Sequence, residues 1–474
     1  MRIKQNYKQM KKLINKKHFF LISIIILIIW RAFLNGAIPL MDKTEARYAE
    51  IARIMAETND YITPQIDYGI PFWAKPPLST WLSALSFDAF GVSEFTARLP
   101  YLLFSILLVF LIGKYATREK LPFFLPGFIV LTIPQFFIHA GVVSTDTLLA
   151  FSVALVMLSF WEAITNPENK IWKYAIFVGF GIGLLAKGPI VFILTLPPIF
   201  MWALISKSFK KIFSTIPIIL GILMITAVAG PWYYLAEQKT PGFIDYFIVG
   251  EHFKRFFDSS WSGDKYGFPK QQPLGIIWIF LLLFAMPWIQ VVIGKLWKNK
   301  KQLFSNKWIL FLGAWLVWTP LFFTVSKSLI HPYILPVMIP IALLAVYFWK
   351  DIKQKAFIIT VSLIVPVASM ITYSIGLYDN NIENYANSDK YLIQHCEQNS
   401  SELYHFNTKS YSSQFYSSGK VKSIHLNELK TIIKEENRFY FIISKGDEEK
   451  MKSLLSENFQ LIDGNRKKRL YLHP

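Results

Sequence analysis

The chain has 474 residues, 53% of them hydrophobic and only 17% charged, with 41 Phe and 15 Trp, which is more apolar surface than one soluble core would bury. Lys and Arg number 50 against 31 Asp and Glu, a net charge of +19. On a soluble protein that excess would point to nucleic acid; on a chain with long uncharged runs it points to loops of unequal charge on the two sides of a bilayer, and nucleic acid is not expected as a partner.

The runs at 19–34, 99–112, 121–138, 148–161 and 212–231 are nearly uncharged at spanning or almost spanning length. In chain order, eleven spans are predicted, at about 18–35, 99–113, 121–140, 143–161, 172–187, 189–206, 212–234, 273–295, 308–325, 330–349 and 355–377. A basic stretch precedes the first, as in a signal peptide, but no small-residue cleavage site follows Trp30 and Arg31, so it reads as a retained span. Residues 1–17 hold seven Lys and Arg and no acid, which places the N-terminus in the cytoplasm. Alternation then makes 114–120, 162–173, 207–211, 295–307 and 350–355 cytoplasmic, and each is basic or carries clustered lysines.

Two segments predicted outside are long, 36–98 and 235–272, and their Trp, Tyr, Pro and ionisable residues suit folding against the membrane rather than a flexible linker. Within the first, Ala46–Met55 has the spacing of an amphipathic helix, and Leu78–Phe90 reads as a second helix in the interface. After about Leu377 polar residues take over, with helix-like 386–398, 427–436 and 447–457 interleaved with strand-like 403–407, 438–443 and 468–472. The expected architecture is an all-α polytopic membrane domain over 1–377 followed by a small α/β extracytoplasmic domain over 378–474. No internal repeat of the transporter kind is visible. Cys396 is the sole cysteine, so it forms no intrachain disulfide and no cysteine-cluster metal site, and is expected as a buried thiol.

Ionisable residues near apolar spans are costly unless paired or wet, and so mark function. Asp42, Glu45, Arg47 and Lys75 lie in the first outer loop, Asp146 at the outer end of the fourth span, Lys187 at the end of the fifth, His252 and Arg255 in the second outer loop, and Lys327, His331 and Tyr333 at the outer junction of spans nine and ten. Carboxylates and cations thus gather at one face of the membrane, which suits chemistry on an anionic lipid headgroup. Each also has a plainer reading. Asp42 or Glu45 is a general base on a hydroxyl or part of a helix start; Lys75, stiffened by Pro76 and Pro77, holds a phosphate oxygen or snorkels from an interfacial anchor. Asp146 in Ser144-Thr145-Asp146 sits at an N-cap, Lys187 before Gly188 at a C-cap, and His252 is a packed imidazole or a ligand, whereas the Arg255 fork suits phosphate.

Taken together, EARYAEIARIM at 45–55, ITPQIDYGIPFWAKPPLSTWL at 62–82, FGVSEFTARLP at 90–100, STDTLLAF at 144–151, LLAKGP at 184–189, GEHFKRF at 250–256 and SKSLIHPYILP at 326–336 resemble, in order, the blocks of the GT-C membrane glycosyltransferases, specifically the bacterial aminoarabinose transferase and protein O-mannosyltransferase superfamily. The resemblance covers about 20–345; the C-terminal segment carries no matching motif. It implies a GT-C fold of about 11 to 13 transmembrane helices, a polyprenyl-phosphate-linked sugar as donor, and inverting transfer on the outer face to lipid A, another glycolipid, a glycan or a protein. It further implies Asp42 as base with Glu45 assisting, Asp146 as a second carboxylate, Arg47 and Tyr48 shaping the site, Lys75 and Arg255 on the donor phosphate, and Lys187 and Tyr333 beside it.

Two departures stand out. The family's Asp-Glu pair before Arg-Tyr is here Thr44-Glu45, with Asp42 two residues earlier. The aminoarabinose transferases carry a Glu directly before the lysine of the KPP block, paired with a later His as metal ligands; here that position is Ala74 while His252 is kept, so a divalent metal is not expected. The competing class, a lipid-linked sugar flippase, calls for polar residues deep in several spans and an internal repeat; a non-catalytic envelope scaffold would be indifferent to loss of the carboxylates.

Overall fold

A computed structural model describes residues 18–254, 263, 265–266, 272–378, 387–397, 402–435 and 438–474. The basic segment 1–17 and Arg255 lie outside them. Each of the eleven apolar segments is helical, but not each is one uninterrupted span. Among the described residues, Phe19–Ala37, Glu94–Arg118, Thr145–Thr165, Ile218–Lys239 and Lys355–Gly376 are long and apolar enough to cross a bilayer.

Proline accounts for most interruptions, because it lacks an N–H and drives the preceding residue out of the helical region. The segment expected at 273–295 is two helices, Ile276–Phe284 and Trp288–Lys298, bent by 105° where Pro287 intervenes. The segment expected at 121–140 divides into Leu125–Thr132 and Pro134–His139, with Ile133 extended before Pro134. The tenth opens as a 3-10 turn, His331–Val337, holding Pro332 and Pro336, before the helix Met338–Tyr347. Lys170–Lys187, Ile190–Ile205 and Lys307–Phe323 complete the set.

Segment 36–98 folds as two helices, Thr44–Thr58 and Leu78–Phe90, with a short hairpin, β1 (Gln65–Asp67) and β2 (Ile70–Pro71), between them. The expected amphipathic character of Ala46–Met55 is overturned. Ten consecutive or near-consecutive residues from Glu45 to Met55 are buried, because the helix lies between Leu78–Phe90 on one side and the C-terminal helix Tyr411–Tyr416 on the other. Leu78–Phe90 turns small residues, Ser79, Ser83 and Ala84, inward to let it approach closely.

The C-terminal segment forms a five-stranded sheet of β3 (Glu402–Phe406), β4 (Lys422–Ile424), β5 (Phe439–Ser444), β6 (Gln460–Gly464) and β7 (Lys468–His473), ordered β4-β3-β5-β7-β6. β3 pairs parallel with β4 and β5, while β7 pairs antiparallel with β5 and β6. Phe439, Phe441 and Ile443 face one apolar cluster and Tyr440 and Ile442 another, the alternation of a strand covered on both faces. Cys396 is buried in the second cluster.

The helical and C-terminal segments are joined through residues 36–98. Lys390 pairs with Glu94 at 2.6 Å and Lys409 with Asp67 at 2.7 Å. The Tyr416 hydroxyl donates to Glu94 at 3.0 Å and accepts the Leu40 N–H at 2.8 Å.

Candidate active site

Ser144 caps the Thr145–Thr165 helix, its Oγ accepting the Asp146 N–H at 3.1 Å and donating to the Asp146 carboxylate at 3.0 Å. Asp146 is thereby fixed toward Lys187, the last residue of Lys170–Lys187, whose ammonium donates to Asp146 Oδ1 and lies 4.3 Å from the centre of the Tyr333 ring. Gly188 ends that helix at φ +85, and a Cβ there would meet the Phe247 ring at 2.6 Å and His252 Nε2 at 3.1 Å, so LLAKGP needs its glycine for both turn and clearance. Tyr48 lies within electrostatic reach of Arg47, Lys187, Asp146 and Glu251, and burial raises its pKa, keeping it a neutral phenol.

Lys75 approaches from the other side. Its ammonium donates to the Ala74 carbonyl and stands 3.4 Å from Glu251 Oε2, while Glu251 Oε1 accepts from Tyr246 at 3.4 Å. His252 bonds through Nδ1 to the Phe247 carbonyl at 2.8 Å, and its Nε2 lies 3.4 Å from the Lys187 carbonyl. Burial lowers its pKa, so the imidazole is neutral near pH 7. Arg47 donates to the Tyr266 carbonyl at 2.9 Å and lies over Tyr48, Phe72 and Tyr411. Lys265 lies 4.2 Å above Trp73. Tyr48, Lys75, Asp146, Lys187, His252 and Tyr333 are thus one neighbourhood, assembled from six stretches of sequence.

The two first-loop carboxylates stand differently. Glu45 is closed in a fork with Arg98, Nε to Oε1 at 2.8 Å and Nη2 to Oε2 at 2.7 Å, and also accepts the Val143 N–H at 3.3 Å. Burial pushes its pKa up, but Arg98 outweighs burial and holds it below the usual carboxylate range. Asp42 is half-buried and forms no ion pair among the described residues. Its carboxylate accepts from the Ser412 N–H at 3.0 Å and from the Ser412 hydroxyl, and its backbone is paired with Asn387 at 2.8 Å in both directions. Burial raises its pKa and the Ser412 bonds only partly offset it.

Sequence reasoning passed over Arg98 and Glu251, although both stand inside recognised blocks, FGVSEFTARLP and GEHFKRF. Ser412, by contrast, carries no local signal, since only the fold brings it to Asp42. For a metal, the residues present do not fit: Ala74 offers a methyl group, Lys75 sets an ammonium beside Glu251, and no three of His, Cys, Asp and Glu converge among the described residues.

Residues 17–247 match the family model described as dolichyl-phosphate-mannose-protein mannosyltransferase. Among curated proteins, the undecaprenyl phosphate-alpha-4-amino-4-deoxy-L-arabinose arabinosyl transferase of Yersinia pestis is 26% identical over 351 residues, 72% of this chain and 60% of that protein. A Proteus mirabilis transferase of the same description is 29% identical over 325 residues, 66% of this chain and 56% of that one. The chain therefore spans only about 60% of the length of the curated relatives it matches. Among solved structures, ArnT from Cupriavidus metallidurans bound to undecaprenyl phosphate superposes with a TM-score of 0.75 at 15% identity, covering 95% of this chain and 97% of that one. The archaeal oligosaccharyltransferase AglB from Archaeoglobus fulgidus gives 0.53 at 11% identity over 93% and 70%. The fold is shared with both.

Proposed function

We propose that this chain, a multi-pass inner-membrane protein similar to the aminoarabinose transferases and to the mannosyltransferase family model, is an inverting glycosyltransferase using a polyprenyl-phosphate-linked sugar. The observation that carries this reading is the neighbourhood of Lys75, Tyr48, Asp146 and Lys187, the last two at the ends of apolar helices. Cations held there meet a lipid phosphate whose tail stays in the bilayer, the ligand named for the Cupriavidus structure. The N-terminus is assigned to the cytoplasm, and 378–474 with both long loops to the outer side.

In the reaction, an acceptor oxygen attacks the anomeric carbon as the bond from that carbon to the phosphate oxygen breaks. The sugar inverts and polyprenyl phosphate leaves. Lys75, with Arg255, holds the departing phosphate, and the Lys187–Asp146 pair fixes the charge around it; Tyr48 and Tyr333 supply walls for the sugar. When the acceptor is a hydroxyl its proton must be taken, and Asp42 is the carboxylate suited to that, since a base needs proton affinity and Glu45 and Asp146 are bound to cations. A phosphate acceptor attacks as an oxyanion and needs no base, so dependence on Asp42 separates the two acceptor classes.

The test supplies purified protein in lipid with radiolabelled polyprenyl-phosphate sugars and envelope extract. Label moving into acceptor with release of polyprenyl phosphate is expected. Donor binding without cleavage over a broad donor panel would instead favour transport.

A further inference from the structure

The first span carries an arginine that the reaction centre does not use. Arg31 lies six residues before the outer end of Phe19–Ala37, roughly 9 Å deep at helical rise, and Asn35 follows one turn later on the same face. Asn35 is fully buried and neither its Nδ2 nor its Oδ1 meets a partner among the described residues; Arg31 Nε is likewise buried and unmet. No ion pair reaches the Arg31 guanidinium among those residues.

The surroundings are fixed and polar. The Asn35 carbonyl accepts from Arg98 at 2.8 Å, which ties this turn to the Glu45–Arg98 pair. Gly141 lies against the Asn35 amide so closely that a Cβ would stand 2.0 Å from Nδ2. Beside it, the Gln135 side chain joins His139 at 3.0 Å and His331 at 2.9 Å. Arg98 is neutralised by Glu45 and Lys187 by Asp146, so Arg31, within electrostatic reach of both members of the first pair, adds a positive charge in excess.

An unmatched guanidinium Nε and an unmatched carboxamide within a span are each costly. The group that satisfies them is an oxyanion that accepts from a fork and from an amide N–H together, which a phosphoryl group does. We propose that Arg31 and Asn35 form a second phosphoryl-binding site, separate from the Lys75 site, which receives the phosphate headgroup of a ligand entering beside the first span.

Native mass spectrometry of the full chain titrated with phosphatidate tests this without turnover, so it stands or falls apart from the transferase reading. The site predicts a saturable phosphatidate adduct that Arg31→Gln weakens about tenfold and Lys75→Gln leaves in place. Competition with millimolar inorganic phosphate identifies the source: displacement assigns a soluble phosphate, persistence a lipid headgroup. Should Arg31→Gln fail to fold, Asn35→Asp sets a carboxylate beside Arg31 and is expected to weaken the adduct similarly. An adduct unchanged in the folded variants, or lost only with Lys75→Gln, would overturn the proposal.

Discussion

Asp42 has two possible duties at the residue scale, proton acceptor and strut to Ser412, and paired substitutions separate them. Asp42→Asn removes the base, whereas Ser412→Ala removes only the partner. For a hydroxyl acceptor, the base role predicts that Asp42→Asn lowers turnover by about 10²-fold or more while Ser412→Ala retains it; equal loss in both would assign Asp42 to the joint alone. The pH profile adds a signed check. A base works unprotonated, so turnover falls as pH drops through the Asp42 pKa, which burial sets above the ordinary aspartate value of 3.8. Because the Ser412 bonds lower that pKa, Ser412→Ala should move the acid limb to higher pH; a limb moving lower would contradict the assignment.

The Glu45–Arg98 pair acts between elements, joining the Thr44–Thr58 helix to Glu94–Arg118, and Arg98 also gathers the carbonyls of Asn35, Ile38 and Pro39. Removing one partner of a buried pair leaves a charge unmatched, so Glu45→Gln should cost about 3–5 kcal/mol, read as a lower unfolding midpoint in detergent. The sign with pH follows from its depressed folded pKa: the pair's contribution is complete above the unfolded carboxylate value near 4.5 and is lost as pH falls through the lower folded value. A midpoint insensitive to Glu45→Gln would remove the pair from the stabilising set.

What could be read from sequence at this scale follows its physics. Apolar length revealed helices 19–37, 145–165 and 218–239, and Leu78–Phe90 matched residue for residue. The strands Lys422–Ile424 and Gln460–Gly464 were missed, being short and polar. The breaks at Pro134 and Pro287 were written in the sequence yet were read through, because hydropathy counts composition and not backbone geometry. Within the site, motif blocks brought forward Asp146, Lys187 and Lys75, but Ser412 and the unmatched state of Arg31 depend on long-range contacts that no local pattern encodes.

At the scale of the whole molecule, the C-terminal sheet and its helices clamp the 36–98 loop through Lys390–Glu94, Lys409–Asp67 and Ser412–Asp42. Lys390→Glu sets like charges opposite Glu94 and should speed limited proteolysis within 36–98 in nanodiscs; an unchanged cleavage rate would argue that the clamp does not order the loop. The clamp matters because that loop carries Asp42, Glu45, Arg47, Tyr48 and Lys75, so the docking of the two segments sets where these side chains stand.

The proposed reaction breaks a sugar–phosphate bond with the phosphate held by Lys75. Its most direct test is release of polyprenyl phosphate from labelled donor, with envelope extract as acceptor, by wild type and Lys75→Gln. Release and label transfer are expected from wild type, reduced about 10²-fold in Lys75→Gln. Intact donor after prolonged incubation with folded wild type, or equal release by the two, would contradict it.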